Sequence, residues 1–328
     1  NKVARVLVTG GTGFIGSHIC DRLIELGHEV VCFDNMLTSD ATNIEHLIGV
    51  SGFTFIEGDI RDIEVVSSAI KGCTHVCHQA ALGSVPRSIE DPVRTNDINL
   101  VGGLNILVSA LENEVERFVF ASSSSVYGDD LELPKIESRT GRELSPYAVS
   151  KSAFESYASV FHTVHGIETI GLRYFNVFGP RQSPDGPYAA VIPKFLQSIS
   201  EGKSPKIFGD GKQTRDFTYV KNVVHANEIA LFGGDSRAFG ECYNVACGET
   251  VSIASLYNML RDSFIGKTGT IIELEPEFVS KRPGDIKDSL ANLDKIENYL
   301  GYKPEVSVEE GIEETVSWFI RKIETGEI

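Results

Sequence analysis

Tyr147 and Lys151 stand four residues apart, a spacing that puts a phenol and an ammonium on one face of a helix. Pro146 precedes them and suits a helix's first turn, so residues 147–164 read as that helix. A tyrosine ordinarily ionises near pH ~10. A neighbouring ammonium, or the positive ring of an oxidised nicotinamide, favours the phenolate and lowers that value, which makes tyrosine a usable base. Surface Tyr–Lys pairs are common, so the pair alone decides little. A cluster of hydroxyls upstream, Ser122, Ser123, Ser124 and Ser125, favours the catalytic reading, because it follows the apolar run 117–121. Such clusters are usually solvated turns, but at the carboxyl end of a parallel strand they face the ligand crevice.

A second constellation lies near the start. The apolar run 6–8 leads into Gly10-Gly11-Thr12-Gly13-Phe14-Ile15-Gly16, and residues 17–26 follow with apolar positions at helical spacing. Strand, glycine turn and helix are the order a dinucleotide-binding unit needs: the glycines turn tightly, and backbone N–H groups at the helix start bind a pyrophosphate. A second strand over 29–33 ends at Asp34, 18 residues after Gly16. A carboxylate there accepts both ribose hydroxyls of NAD and repels the 2′-phosphate of NADP. The spacing predicts NAD.

These residues require a scaffold. A third strand over 53–56 leads to Asp59, a short helix follows, and a further strand closes on Gln79-Ala80-Ala81, where small residues let backbone lie against a flat cofactor or a packed helix. A helix over 97–111, the strand 117–121, the helix carrying Tyr147 and a strand over 168–175 complete the alternation. The expected fold class is α/β, a doubly wound (Rossmann) parallel sheet with a smaller α/β C-terminal substrate domain. The proline- and glycine-rich stretch 179–187 marks the seam, giving a first domain over 1–178, with 218–249 returning to it, and a second over 179–328. Arg215 and Arg282 lie beside acidic residues; they are either loop ion pairs or, in one cleft, a bidentate clamp for a diphosphate.

Composition narrows the partners. With 41% hydrophobic and 23% charged residues the chain matches an ordinary globular α/β protein. A formal charge of −16 argues against nucleic acid or an anionic membrane as partner. No apolar run reaches membrane-span length and no leader precedes the first strand, so a cytoplasmic location is expected. The six cysteines form no C-x-x-C and are expected to be reduced, packed thiols. Cys73, His75, Cys77 and His78 raise a metal site, but a strand there splits them between two faces, so no metal is expected.

Taken together, TGGTGFIG at 9–16, SSSSVYG at 122–128, SPYAVSK at 145–151, LRYFNVFGPRQ at 172–182 and RPGD at 282–285 resemble the extended short-chain dehydrogenase/reductases, specifically the nucleotide-sugar 4-epimerases. The resemblance runs through nearly the whole chain. It implies Tyr147 as catalytic base, Lys151 holding the nicotinamide ribose, and Ser123 with Ser124 beside it bonding the sugar's 4-oxygen. It implies NAD contacts at Gly10, Gly13, Phe14, Ile15, Gly16, Asp34, Asn35, Ser39, Asp59, Ile60, Gln79, Ala80, Ala81, Asn99, Tyr174 and Val177, beside Tyr147 and Lys151. For the UDP-sugar it implies Gly83, Ser84, Asn176, Ala190, Val191, Lys206, Phe208, Arg215, Arg282, Asp285 and Ser289, with Ser123, Ser124 and Tyr147. The family's chemistry removes the C4 hydride to tightly held NAD, turns the 4-keto sugar, and returns hydride to its other face.

Departures from relatives narrow the substrate. Superfamily dehydratases carry Asp-Glu where this chain has Ser124-Ser125, and decarboxylases place Glu at position 125. UDP-glucuronate 4-epimerases tend to show Thr at 176 and Arg at 183, where this chain has Asn176 and Ser183. In epimerases restricted to plain hexoses, the residue four beyond the aspartate of RPGD is commonly tyrosine; here it is Ser289. The segment 78–88 also resembles the group preferring acetylated substrates. The expected reaction is UDP-N-acetylglucosamine ⇌ UDP-N-acetylgalactosamine, with UDP-glucose and UDP-galactose also accepted. UDP-glucuronate epimerisation and NAD(P)-linked nucleotide-sugar reduction are the alternatives. A homodimer paired through the helices at 97–111 and 147–164 is implied.

Overall fold

The computed structural model describes residues 3–185, 189–281 and 286–328. Its centre is a seven-stranded parallel sheet. Strands β1 (Arg5–Thr9), β2 (Glu29–Asp34), β3 (Phe53–Glu57), β4 (His75–His78), β5 (Arg117–Ser123) and β6 (Glu168–Tyr174) are joined by a last strand, Glu241–Val245. The spatial order is Glu241–Val245, β6, β5, β4, β1, β2, β3, so connectivity reverses between β1 and β4. Ligands of open parallel sheets bind at such a reversal, beyond the strands' carboxyl ends.

Helices cover both faces, which is why the strands read as continuous apolar runs rather than alternating ones. In β1, Val6 and Val8 face one core with Ile19, Cys20 and Leu23 of α1 (Phe14–Glu25), whereas Leu7 faces the other with Val66 of α2 (Ile63–Ala69). Crossing from β4 to β5 the chain forms α3 (Val85–Glu90), α4 (Pro92–Asn96), a π-turn (Asp97–Gly102) and α5 (Gly103–Glu112). The helix expected over 97–111 thus begins earlier and is interrupted. Its glycines explain the fit: a Cβ at Gly102 would meet Ile60 at 2.6 Å and one at Gly103 would meet Phe154 at 2.8 Å.

Helix α6 (Pro146–His165) starts with Ser145 capping the Ala148 N–H at 3.1 Å and stops at Gly166, whose φ of 77° suits a left-handed cap. Phe154 and Ala158 bury its inner face against the sheet. A separate core forms from Phe178 onward, built on α7 (Val191–Ser200), α9 (Ile253–Thr268) and α11 (Val308–Glu324). Between α7 and α9 the chain returns to the sheet through α8 (Val220–Phe232), packed beside α1, and the strand Glu241–Val245. Helix α10 (Asp294–Leu300) packs on that last strand. Among the described residues, no helix is long and apolar enough to cross a membrane.

Candidate active site

The glycine turn is forced by contact. Gly10 has φ 68°, and a Cβ there would stand 2.7 Å from the Ala80 nitrogen; at Gly16 it would stand 2.1 Å from the Gly10 carbonyl oxygen. Only a bare backbone lets β1, α1 and the end of β4 approach so closely. Gly13 caps α1 without a side chain, leaving first-turn N–H groups for an anion. Asp34 is held by two backbone donors, Thr12 N at 3.1 Å and Met36 N at 2.8 Å. Nearby, Asn35 Nδ2 donates to Asp59 at 2.9 Å, and the Arg61 guanidinium holds the Asp59 carboxyl well below the usual range.

These groups open on one cleft of about 370 Å³ at the sheet's reversal point. Of the residues proposed for NAD, it is lined by Gly10, Gly13, Phe14, Ile15, Gly16, Asp34, Asn35, Ser39, Asp59, Ile60, Gln79, Ala80, Ala81, Tyr147, Lys151 and Tyr174. Gly83 lines it too. A dinucleotide fits this donor set: orphan N–H groups and bare glycines at one end, an oriented carboxylate at the end of β2, and a Tyr–Lys pair at the other end.

Two residues expected on the cofactor stand behind the cleft's surface. Asn99 is buried in the π-turn, where its amide accepts from Leu82 N at 2.7 Å and donates to Leu82 O and Ser150 Oγ, each at 3.1 Å. It therefore clamps the segment that forms the cleft wall. Val177 lies between the two cores, with its carbonyl accepting from Gln182.

At the reactive end the Tyr147 phenol faces the Ser123 hydroxyl. Burial pushes this phenol above its ordinary value, against the downward pull of that hydroxyl. The chain alone therefore does not lower the tyrosine, contrary to the expectation from the Lys151 spacing. Lys151 does not offset the burial: its Nζ donates to the Ala121 carbonyl at 2.8 Å, and it stands 5.8 Å from the centre of the Tyr147 ring. Burial lowers Lys151 to about 8, opposed by the Glu155 carboxylate one turn on. Glu155 itself accepts from Ser122 Oγ at 2.5 Å and takes a two-pronged contact from Arg173 at 2.8 and 2.7 Å. Ser124 opens a short 3₁₀ turn, and Ser123 caps that turn through Ser125 N at 3.1 Å.

The residues expected on the UDP-sugar are spread more widely. Val191, Lys206 and Phe208 share a second cavity of about 490 Å³. Ala190 caps α7 beside it. Ser84 caps α3 at φ 89°, and Asn176 sits at φ 35° with its amide on the Asp216 carbonyl. Non-glycine residues in that region are strained, and such strain gathers at functional sites. Arg215 donates to the Thr214 and Lys287 carbonyls, and Ser289 N bonds Thr214 O at 3.2 Å, which brings Ser289 and Arg215 together. Arg282 and Asp285 lie outside the described residues.

The cysteine–histidine group resolves into packing. Cys77 and Cys73 face opposite cores, and His78 shares a 2.6 Å contact with Thr9 Oγ1, which also accepts from Ala80 N. Among the described residues, no three metal-binding side chains gather. All six cysteines are free thiols.

This architecture recurs in known proteins. The chain is 39% identical to a UDP-N-acetylglucosamine 4-epimerase of Methanobrevibacter ruminantium M1 solved with UDP-N-acetylmuramic acid, at a TM-score of 0.91 over 98% of this chain and 100% of that one. A UDP-glucose 4-epimerase of Thermus thermophilus solved with NAD is 38% identical, with a TM-score of 0.84 over 96% and 99%. A UDP-glucose 4-epimerase of Mycolicibacterium smegmatis is 34% identical over 97% of this chain and 99% of its own length. Residues 6–246 match the family model described as NAD dependent epimerase/dehydratase. With the glycine cradle, Asp34 and the Tyr147–Lys151 pair opening on one cleft, the chain belongs to the NAD dependent epimerase/dehydratase family.

Proposed function

We propose that this chain is a UDP-hexose 4-epimerase that interconverts UDP-N-acetylglucosamine and UDP-N-acetylgalactosamine and also accepts UDP-glucose and UDP-galactose. The observation that carries the reading is the Tyr147 phenol beside Lys151, lining the same cleft as the glycine cradle and Asp34. NAD, when bound, supplies a reversible hydride acceptor. The protein's own part is to bind, orient and move a proton. First-turn N–H groups of α1 would hold the cofactor's pyrophosphate, Asp34 the ribose hydroxyls, and Lys151 the second ribose. Tyr147 takes the proton of the sugar's 4-hydroxyl and later returns it, while Ser123 holds that oxygen. Positions 124 and 125 carry no carboxylate, so elimination and decarboxylation lack their acid–base group.

The acetylated preference rests on Ser289, a small residue beside Arg215. In this reading residues 1–178 with 218–249 carry the cofactor and the rest of 179–328 carries the nucleotide sugar. Incubating the protein with UDP-N-acetylglucosamine and resolving the products tests the reaction; no epimer at high enzyme loading would overturn it. Net consumption of NADPH would instead identify a reductase.

The reading extends to a homodimer. Val93 on α4 is 79% exposed and Val164 on α6 is 65% exposed, with Val101 in the π-turn and Val149, Tyr157 and Val160 on α6 also exposed. A second copy meeting this face helix-to-helix would cover them.

A further inference from the structure

Beneath the cleft lies a closed ring of hydrogen bonds. Asn227, on α8 and fully buried, donates from Nδ2 to the Tyr174 hydroxyl at 2.8 Å. Tyr174 donates to Gln79 Oε1 at 2.9 Å, and Gln79 Nε2 donates back to Asn227 Oδ1 at 3.1 Å. Asn227 also donates to the Val223 carbonyl at 2.8 Å and accepts from the Cys77 thiol at 3.4 Å. Every polar atom of its amide is thereby used, and each bond in the ring runs in one direction. Flipping one amide alone would set the two amide nitrogens, or the two amide oxygens, against each other. Flipping both would reverse the ring but turn Asn227 Oδ1 onto the Val223 carbonyl, so that carbonyl fixes the ring's direction.

The ring's position gives it a role. Tyr174 ends β6 and Gln79 follows β4, with β5 between them in the sheet. The Tyr174–Gln79 bond therefore reaches across β5 near Ala121, whose carbonyl holds Lys151. Tyr174 and Gln79 line the cleft with Tyr147 and Lys151, whereas Asn227 does not. We propose that Asn227 is a positioning residue for the cofactor: it fixes the hydroxyl of Tyr174 and the amide of Gln79 in the orientation that a bound dinucleotide meets. A surface set before binding costs no reorganisation when the ligand arrives. The inference rests on the NAD reading of the cleft and is independent of which sugar is epimerised.

The test is a double-mutant cycle read by the fluorescence of NADH on binding, with no turnover required. Asn227→Leu and Tyr174→Phe should each weaken NADH binding about tenfold, the size of one lost buried hydrogen bond. The double variant should bind about as weakly as either single one, because both changes open the same ring. Parental affinity in Asn227→Leu, or losses that multiply in the double variant, would overturn the proposal. Should Asn227→Leu fail to fold, Asn227→Asp replaces it. Its ionised carboxylate cannot donate to Tyr174, so NADH binding should be weak near pH ~8 and recover toward pH ~6 as a buried carboxyl regains its proton. A flat response at the parental affinity would equally overturn it. Failure of the parent protein to bind NADH would strike the cofactor reading itself.

Discussion

The Lys151 ammonium donates to the Ala121 carbonyl at 2.8 Å, while it stands 5.8 Å from the centre of the Tyr147 ring on the same helix face. The ammonium is thus fastened to the end of β5 and acts on the phenol across space. The division of labour has a pH signature. Burial brings Lys151 to about 8 from an ordinary value of 10.5. Above pH ~8 the folded chain releases this proton while the unfolded chain keeps it until pH ~10.5, so this group's contribution to stability rises with pH across that window. Activity should move the other way, because the neutral amine no longer favours a phenolate. Turnover measured from pH ~6.5 to ~9.5 should fall above pH ~8, and Lys151→Arg, if it retains activity, should lose that alkaline limb. An alkaline limb unchanged in Lys151→Arg would show that another group sets it.

The Tyr147→Phe substitution removes the proton acceptor and almost no volume. Turnover should fall by roughly two to four orders of magnitude, with UDP-sugar binding little changed. Calorimetric titration with UDP separates the two effects. Near-parental turnover would assign the base to another residue.

Much of this site was legible because its parts are local in sequence. The glycine turn, Asp34 at the end of β2, and Tyr147 with Lys151 one turn later each announce themselves through spacing, and each lines the cleft. What escaped was long-range. Asn227 acts through Tyr174 and Gln79, 53 and 148 residues away. Glu155 and Arg173 pair across 18 residues, and nothing in either local pattern announces the contact. An asparagine inside a helical run likewise carries no sign that a π-turn aims it at Leu82, as it does Asn99. The rise of the Tyr147 phenol in the cofactor-free chain is also illegible locally: helical spacing reports who is near, whereas desolvation depends on the packed whole.

The exposed apolar face of α4 and α6 predicts association. Light scattering at micromolar concentration should give twice the 35.8 kDa of the chain. Introducing charge with Val160→Glu and Val164→Glu should shift the mass toward one chain, since unpaired like charges in a buried apolar interface are strongly disfavoured. A parent protein already at one chain's mass would contradict the dimer.

In the proposed reading, substrate choice turns on Ser289. Its N–H is tied to the Thr214 carbonyl at 3.2 Å, and neighbouring Asp288 bridges Thr214 as well, so the backbone at this position is pinned to Thr214 by two successive residues. A larger side chain introduced here cannot be relieved by moving the backbone. The acetamido group at C2 must find room in both sugar orientations, because the intermediate turns within one pocket. A tyrosine at 289 would project a ring into that room. Overpacking a rigid site costs about 1–3 kcal/mol, which corresponds to a loss of roughly 5- to 150-fold. UDP-glucose and UDP-galactose lack the acetamido group and should escape most of it. Ser289→Tyr should therefore lower kcat/KM for the acetylated pair by at least about tenfold relative to the plain pair. Initial rates on all four UDP-sugars measure this directly. Equal losses on both pairs, or none on either, would make Ser289 a bystander and remove the basis for an acetylated preference.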